Sequence, residues 1–307
     1  MAPPGERLWQ FGLRRLNDSD VLANVVFPLY LWGVRRFPRF HPLLLNRDRV
    51  PVEGGSVVRA RSSTKTPFEM ELDTRVGGDC HMLSLFRRGE LYEPDVTQFI
   101  ERTLVHGGTF MDVGANSGYF TLLASARVGP TGVVHAFEPN PEAVARLERN
   151  LKLNGCKNVV VHPVALGAHA GRVTLRRSLI TDGMNSVLEL PQSAPGPECP
   201  QEVLPPPGPG GPGTWVKIDV EGVEAEVLEG ARPWLSTASR TSVVFEYKRL
   251  LSFIRRENPD RTMEILRELG FQVHLLTADG RVGPELKGHR EVGAVSANLL
   301  AIRAPSS

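Results

Sequence analysis

The chain has 307 residues, 41% hydrophobic and 23% charged, a balance that excludes disorder throughout and suits one large buried core or two modest ones. A formal net charge of +2 gives no global electrostatic case for a nucleic-acid partner. Cys80, Cys156 and Cys199 are odd in number and far apart, matching neither a disulfide framework nor a zinc-ligand cluster, so a reducing, cytoplasmic compartment is expected.

Residues 1–50 read as a helical extension. Within it Val21 to Val34 is apolar, bracketed by Arg14-Arg15 and Arg35-Arg36. A transmembrane helix takes about 20 apolar residues; this run is shorter and is interrupted by Pro28. A signal peptide would carry its basic residues first and a small-residue cleavage site after, where Trp32-Gly-Val-Arg35-Arg36 stands instead. Two readings remain open. Either this is a helix packed on the rest of the protein, or residues 21–36 make a peripheral membrane contact with arginines meeting anionic headgroups.

Residues 51–91 alternate apolar and polar runs, and Val57-Val-Arg-Ala-Arg, Phe68-Glu-Met-Glu-Leu and His81-Met-Leu-Ser-Leu-Phe are all expected as short strands. From Glu93-Pro94 onward, the spacing of Val96, Phe99, Ile100 and Leu104 predicts an amphipathic helix that opens a domain over 92–305.

The next stretch, Phe110-Met-Asp112-Val-Gly114-Ala-Asn116-Ser-Gly118-Tyr-Phe120, reads as a buried strand passing through a tight glycine turn into a helix. A second apolar run, Val133 to Phe137, ends on Glu138. Together they describe a nucleoside crevice at the carboxyl end of a parallel sheet, with Glu138 placed to accept hydrogen bonds from ribose hydroxyls. A dinucleotide fits poorly. Its second glycine would fall on Asn116 and its third on Tyr119, and Asp112 would set a negative charge beside the phosphates. S-adenosylmethionine has no phosphate, carries an ammonium and a sulfonium, and presents a ribose diol, so the carboxylates favour it by charge complementarity.

Further along, Asn140 caps a helix with Pro141 at its first position; Val144, Leu147 and Leu151 form the buried stripe and Asn154-Gly155 the stop. Strands follow at Asn158–His162, Gly171–Leu175 and Ser186–Leu190. Residues 191–213 hold fourteen prolines and glycines in twenty-three positions, so no regular element is expected through most of that insertion. Strands at Trp215–Val220, Ser242–Glu246, Phe271–Leu276 and Ala297–Ile302 alternate with helices near Val223 and Arg261. The pattern predicts an α/β fold: one doubly wound, mostly parallel seven-stranded sheet of Rossmann-like type.

In the fourth strand of that sheet, Lys217, Asp219 and Glu221 alternate onto one face at the rim that also holds Asp112 and Glu138. Asp219 can accept a hydroxyl proton, orient an acceptor or help hold a cation; Glu221 can do the same or cap the following helix. Lys217 can pair with a carboxylate. A shared divalent cation is chemically allowed, but three rim carboxylates set no coordination geometry, and no metal is assigned.

The blocks Asp112-Val-Gly-Ala-Asn-Ser-Gly118, Phe137-Glu138-Pro139, Val164-Ala165-Leu166-Gly167, Lys217-Ile-Asp-Val-Glu-Gly222 and Phe245-Glu246, with the entry Tyr92-Glu93-Pro94, follow one another at the order and spacing of a known family. From Tyr92 to Ile302 the chain resembles the FkbM-type methyltransferases. The resemblance implies the class I methyltransferase fold and an S-adenosylmethionine-dependent methyltransferase, commonly an O-methyltransferase acting on small metabolites or glycan-like acceptors. It implies that Asp112, Gly114, Asn116 and Gly118 form the cofactor loop at the methionine end, that Glu138 binds ribose, and that Ala165 and Leu166 lie near adenine. Asp219 and Glu221 match the signature beside the transfer site, with Glu246 as a supporting carboxylate. The insertion at 191–213 departs from the family pattern. Two rivals keep the fold: a nicotinamide-dependent oxidoreductase, and a non-catalytic module that binds the nucleoside or a membrane partner.

Overall fold

The computed structural model describes residues 57–178, 185–186, 193–205, 213–248, 252, 258–293 and 296–303. The expected N-terminal helix, its membrane-contact segment 21–36, and Val187 to Leu190 lie outside them.

The chain opens with a hairpin, β1 (Val57–Arg61) and β2 (Glu69–Asp73), followed by α1 (Gly77–Arg88) and α2 (Pro94–Thr103). Then come β3 (Thr109–Val113), α3 (Tyr119–Val128), β4 (Val133–Phe137), α4 (Pro141–Leu153) and β5 (Val159–His162). A smaller sheet takes β6 (Ala165–Leu166), β7 (Gly171–Ser178), β8 (Asn185–Ser186) and β9 (Ser193–Glu202). The chain returns through β10 (Thr214–Ile218), α5 (Glu224–Leu235), β11 (Thr241–Lys248), α6 (Arg261–Glu268), β12 (Phe271–Leu276), β13 (Val282–Glu285) and β14 (Ser296–Arg303).

The main sheet has the order β13-β12-β14-β11-β10-β3-β4-β5. Its five strands from β11 to β5 run parallel, and β14 inserts antiparallel between β11 and β12. The seven expected strands are there, and β13 adds an eighth at the edge as the return of a hairpin from β12. All five β3 residues are buried, as a strand covered on both faces requires. Strand order reverses between β3 and β10, whose register sets Asp112 opposite Lys217 and Val113 opposite Ile218. At such a reversal the loops leaving the two strands part and open a crevice.

Local signals place the helices around that crevice. Asn140 Oδ1 accepts the Glu142 N–H at 3.0 Å and Pro141 begins α4, as the sequence predicts. The buried face of α4 is turned slightly from the expected stripe. Ala143, Arg146 and Asn150 are buried beside Leu147 and Leu151, while Val144 is only half-buried, because that side of the helix meets polar groups of the loop after β3 and of β2. The Glu71 N–H donates to Asn150 Oδ1 at 2.7 Å and the Glu69 N–H to Asn154 Oδ1 at 3.0 Å, so side-chain amides satisfy the edge that β2 turns to α4.

Two expectations are corrected. His81 to Phe86 forms a helix, not a strand: Asp79, Met82, Leu83 and Phe86 are buried at helical spacing, and Gly89 at φ 71 closes α1 by donating to Leu85 and Phe86. The first half of the proline-rich insertion is a strand, β9, antiparallel to β7. It tolerates Pro195, Pro197 and Pro200 because β6 covers only Gln201 and Glu202 on its other side, and the register shifts between Thr174 and Arg176.

Apolar side chains of the hairpin and α1, among them Met70, Leu72 and Leu83, share one core with Ile100, Tyr119 and Leu123. The opposite face of the sheet buries Val113, Ile218, Leu228, Phe245 and Leu266 together. Among the described residues no helix is long and apolar enough to cross a membrane.

Candidate active site

A cleft of about 1020 Å³, counting the space open at its mouth, lies at the carboxyl ends of β3, β4 and β10. Its floor is the bend from Gly114 to Gly118, in which Gly114 (φ 86), Asn116 (φ 48) and Gly118 (φ 98) are all left-handed. A Cβ on Gly114 would lie 1.9 Å from the Asp219 carbonyl oxygen, and one on Gly118 would lie 2.5 Å from Leu147 Cδ1. Asparagine is among the few side chains that tolerate the conformation at 116.

Glu138 locks this bend. Its Oε2 accepts the Asn116 N–H and its Oε1 the Asn140 N–H, both at 2.9 Å. Burial raises its carboxyl above the ordinary value, and the two N–H groups and Arg146 counter that. Each oxygen keeps a lone pair for a ribose hydroxyl. Ala165 and Leu166 are buried and line the cleft beyond Glu138, as do Gly114, Asn116 and Gly118. Asp112 is placed differently. It is 1% exposed and outside the residues that line the cleft; Oδ2 accepts from Thr121 Oγ1 at 2.6 Å, while Oδ1 is buried without a hydrogen-bond partner. Its charge acts from beneath, through Lys217 opposite it on β10.

A charged web forms one side of the cleft. Lys217 Nζ lies 3.2 Å from Asp219 Oδ2 and 4.8 Å from the centroid of the Phe120 ring. Lys248 Nζ sits among three carboxylates: Glu221 at 2.5 Å, Glu246 at 2.9 Å and Asp219 at 3.7 Å. Burial works to raise the Asp219 carboxyl, but the two lysines overcome it and hold Asp219 well below the usual range. Glu221 goes the other way, to about 7, because burial outweighs Lys248 and Asp219 repels its charge. Glu246 is also raised by burial and by Asp219, and its Oε1 accepts from Ser296 Oγ at 2.7 Å. Both ammoniums are held above the ordinary lysine value, since the surrounding carboxylates outweigh burial.

Strand β10 ends at Ile218 and Glu221 is left-handed at φ 59, so the expected alternation stops short; ion pairing gathers Lys217, Asp219 and Glu221 instead. The cap reading for Glu221 passes to Glu224, whose Oε1 accepts the Gly222 N–H at 3.1 Å. Three further residues join the site. Lys248 is two positions after Glu246 on β11, a same-face spacing that the sequence carries openly. Glu93, in the quoted Tyr92-Glu93-Pro94 block, lines the cleft at φ 38, left-handed and directly before a proline, where a non-glycine residue is strained. Burial raises its carboxyl to about 7, with Lys217 pulling it down and Asp219 and Glu246 pushing it up, and it accepts from the Tyr92 hydroxyl. Arg146 lines the cleft from α4.

Neighbouring rings pack on one another: His162 stacks on Phe137 with centroids 4.4 Å apart, and Tyr119 packs edge-on to Tyr92, while Phe137, Tyr92 and Tyr119 also line the cleft. Among the described residues no group of three or more His, Cys, Asp or Glu is arranged to hold a metal ion. The lysine ammonium of residue 248 occupies the position between the carboxylates.

S-adenosylmethionine fits this wall. Glu93, Glu138, Asp219 and Glu221 line the cleft against Arg146 and Lys217, an excess of negative charge that disfavours a pyrophosphate and suits a sulfonium and an ammonium. The chain is also similar to known proteins. A curated relative, the tRNA wybutosine-synthesizing protein 2 homolog of Danio rerio, is 48% identical over 52 residues, 17% of this chain and only 12% of that protein's length. Among solved structures, the chain is similar to a precorrin-6y C5,15-methyltransferase from Geobacter metallireducens (14% identity, 68% of this chain and 86% of that one, TM-score 0.40). It is also similar to an S-adenosylmethionine-dependent O-methyltransferase from Thermotoga maritima (12% identity, 71% and 67%, TM-score 0.41). The family model described as the methyltransferase FkbM domain matches residues 112–197 and 213–273, skipping the proline-rich stretch between them. Those matched residues carry the glycine bend, Glu138, Asp219, Glu221 and Glu246, and the chain belongs to the FkbM family of S-adenosylmethionine-dependent methyltransferases.

Proposed function

We propose that this protein methylates a hydroxyl oxygen of a small, polyhydroxylated, glycan-like acceptor. The observation that carries the reading is the web of carboxylates and lysines at one side of the cofactor cleft. The cofactor supplies a methyl group activated by its sulfonium; the protein must hold an acceptor in line and manage one proton. Asp219, kept ionised by two lysines, orients the hydroxyl by accepting its hydrogen bond. Glu93, near 7, is matched to take the proton at neutral pH. Glu221 has a similar affinity for protons, but Lys248 engages it at 2.5 Å. Lys217 and Lys248 stabilise the negative charge that the oxygen gains as its proton leaves. Of the roles expected of Asp219, this environment supports orientation rather than proton abstraction. The carboxylates lining the cleft oppose a phosphodiester backbone, which supports a non-nucleic-acid acceptor.

Incubation with labelled donor and fractionated cell extract, followed by mass spectrometry, is expected to yield an O-methylated polar small molecule. Label recovered on nucleic acid or on protein nitrogen overturns the reading. Asp219→Asn is expected to leave the affinity for S-adenosylhomocysteine within about threefold and to lower turnover by roughly 10²-fold, the scale of a misplaced acceptor; an unimpaired rate removes Asp219 from the mechanism. For residues 21–36 the membrane reading predicts that the full chain floats with anionic vesicles and a deletion of residues 1–40 does not. Equal flotation of both removes that contact.

A further inference from the structure

The hairpin β1–β2 and helix α1 precede the matched family residues, yet buried polar side chains tie them to the floor of the cofactor cleft. Asp79 on α1 is fully buried. Its Oδ1 accepts from Ser117 Oγ at 3.0 Å and its Oδ2 from the Asp73 N–H at 2.9 Å, and Arg146 Nε lies 3.6 Å from Oδ2. Arg146 in turn donates from Nη2 to Asn116 Oδ1 at 3.4 Å. Asn150, also fully buried, donates to the Ser117 carbonyl at 2.9 Å while accepting from the Glu71 N–H at 2.7 Å. Two residues of the bend, Asn116 and Ser117, are thus held by groups that β2 and α1 hold from the other side.

Arg146 is the informative member. Its side chain is 9% exposed, it lines the cleft near Glu138, and its Nε is buried without a hydrogen-bond partner. A desolvated guanidinium with donors to spare is costly unless something accepts from it. A nucleoside bound above Asn116 and Glu138 brings hydroxyl and ring-nitrogen acceptors to that place. We propose that Arg146 contacts the bound cofactor and that Asp79 is the positioning residue that fixes both Arg146 and the Asn116–Ser117 bend, making residues 57–91 part of the cofactor site. Burial pushes the Asp79 carboxyl up, while the Asp73 amide, Arg146 and Ser117 favour its ionised form. The Asp73 amide belongs to the hairpin, so the hairpin helps hold the Asp79 carboxyl in place beside Arg146. Coupling of this kind is reciprocal: a cofactor that tightens the bend also tightens the hairpin.

The test uses the full chain and S-adenosylhomocysteine as probe, by calorimetric titration and amide hydrogen exchange. Asp79→Asn and Arg146→Lys are each expected to weaken binding at least tenfold, and the double variant to be weaker by much less than the product of the two, since the two residues share the Asp79–Arg146 pair. Free Asp79→Asn should exchange faster at residues 114–118, and the probe should slow exchange at residues 69–73 of the wild type. Ser117→Ala, which removes a single hydrogen bond, is expected to weaken binding severalfold and serves if Asp79→Asn does not fold. Binding within twofold of wild type in folded Asp79→Asn or in Ser117→Ala, or single effects that multiply in the double variant, overturns the proposal alone. A wild-type chain that does not bind the probe overturns the cofactor assignment and the proposal together.

Discussion

Gly114→Ala is expected to weaken S-adenosylhomocysteine binding by at least about 10²-fold and to lower the thermal midpoint. The new carbon would sit 1.9 Å from the Asp219 carbonyl oxygen and 2.9 Å from its carbon, at a φ of +86. The conformation alone costs an alanine roughly 1–2 kcal/mol, and the contact can be relieved only by parting the loops that leave β3 and β10. That movement strains the hydrogen bonds from the Asp219 N–H to the Val113 carbonyl at 2.9 Å and from the Gly114 N–H to the Phe137 carbonyl at 3.0 Å. It also carries Asp219 away from Lys217, so the floor of the cleft and the charged web fail together. Gly155→Ala is the control. It shares a left-handed φ of +63 but has nothing within 4 Å of the added carbon, so it should lower stability by about 1 kcal/mol and leave binding intact. Equal binding by both variants and the wild type would show that the backbone contact at Gly114 does not shape the cofactor site.

That contact was half legible. The glycine bend, the Glu138 strand end and the Asn140-Pro141 cap are written in adjacent residues, because turn chemistry and capping act over four or five positions. What Gly114 touches is not adjacent, since Asp219 lies across the strand reversal. Helix α1 was misread for a related reason: Met82-Leu83-Ser-Leu-Phe86 is a short apolar run whose period does not separate strand from helix, and Asp79, the residue that completes the helical face, is polar because its partners are Ser117 and Arg146. Strand β9 was missed because its prolines forbid an autonomous strand, and only the pairing offered by β7 overrides them. Glu138, Asp219, Glu221 and Glu246 could be named from sequence, whereas their charges could not. Lys248 and Glu93 reach Asp219 only through the tertiary fold, and they decide which carboxylate stays ionised.

Glu93→Gln separates the two consequences of that arrangement. Burial lifts the Glu93 carboxyl from an ordinary 4.5 to about 7, opposed by Lys217 and reinforced by Asp219 and Glu246, with the Tyr92 hydroxyl donating to it. Between pH 4.5 and about 7 the folded protein therefore holds a proton that the unfolded chain releases. Stability from this group is fully present below 4.5 and is lost as pH rises through about 7. Glutamine never ionises, so the variant should gain on the order of 1–3 kcal/mol relative to wild type at pH 8.5 and close to nothing at pH 5. Methyl transfer should move the opposite way. The wild-type rate rises with pH to a plateau above about 7 as the base becomes available, while Glu93→Gln loses about 10²- to 10⁴-fold and its profile no longer bends there. A variant more stable at high pH yet unchanged in rate would leave Glu93 a buried carboxylate and move the proton to Glu221; one unchanged in both would mean the carboxyl ionises as an ordinary glutamate. Gained stability with lost turnover is the signature of a strained, desolvated residue kept for chemistry, and its left-handed backbone before Pro94 points the same way.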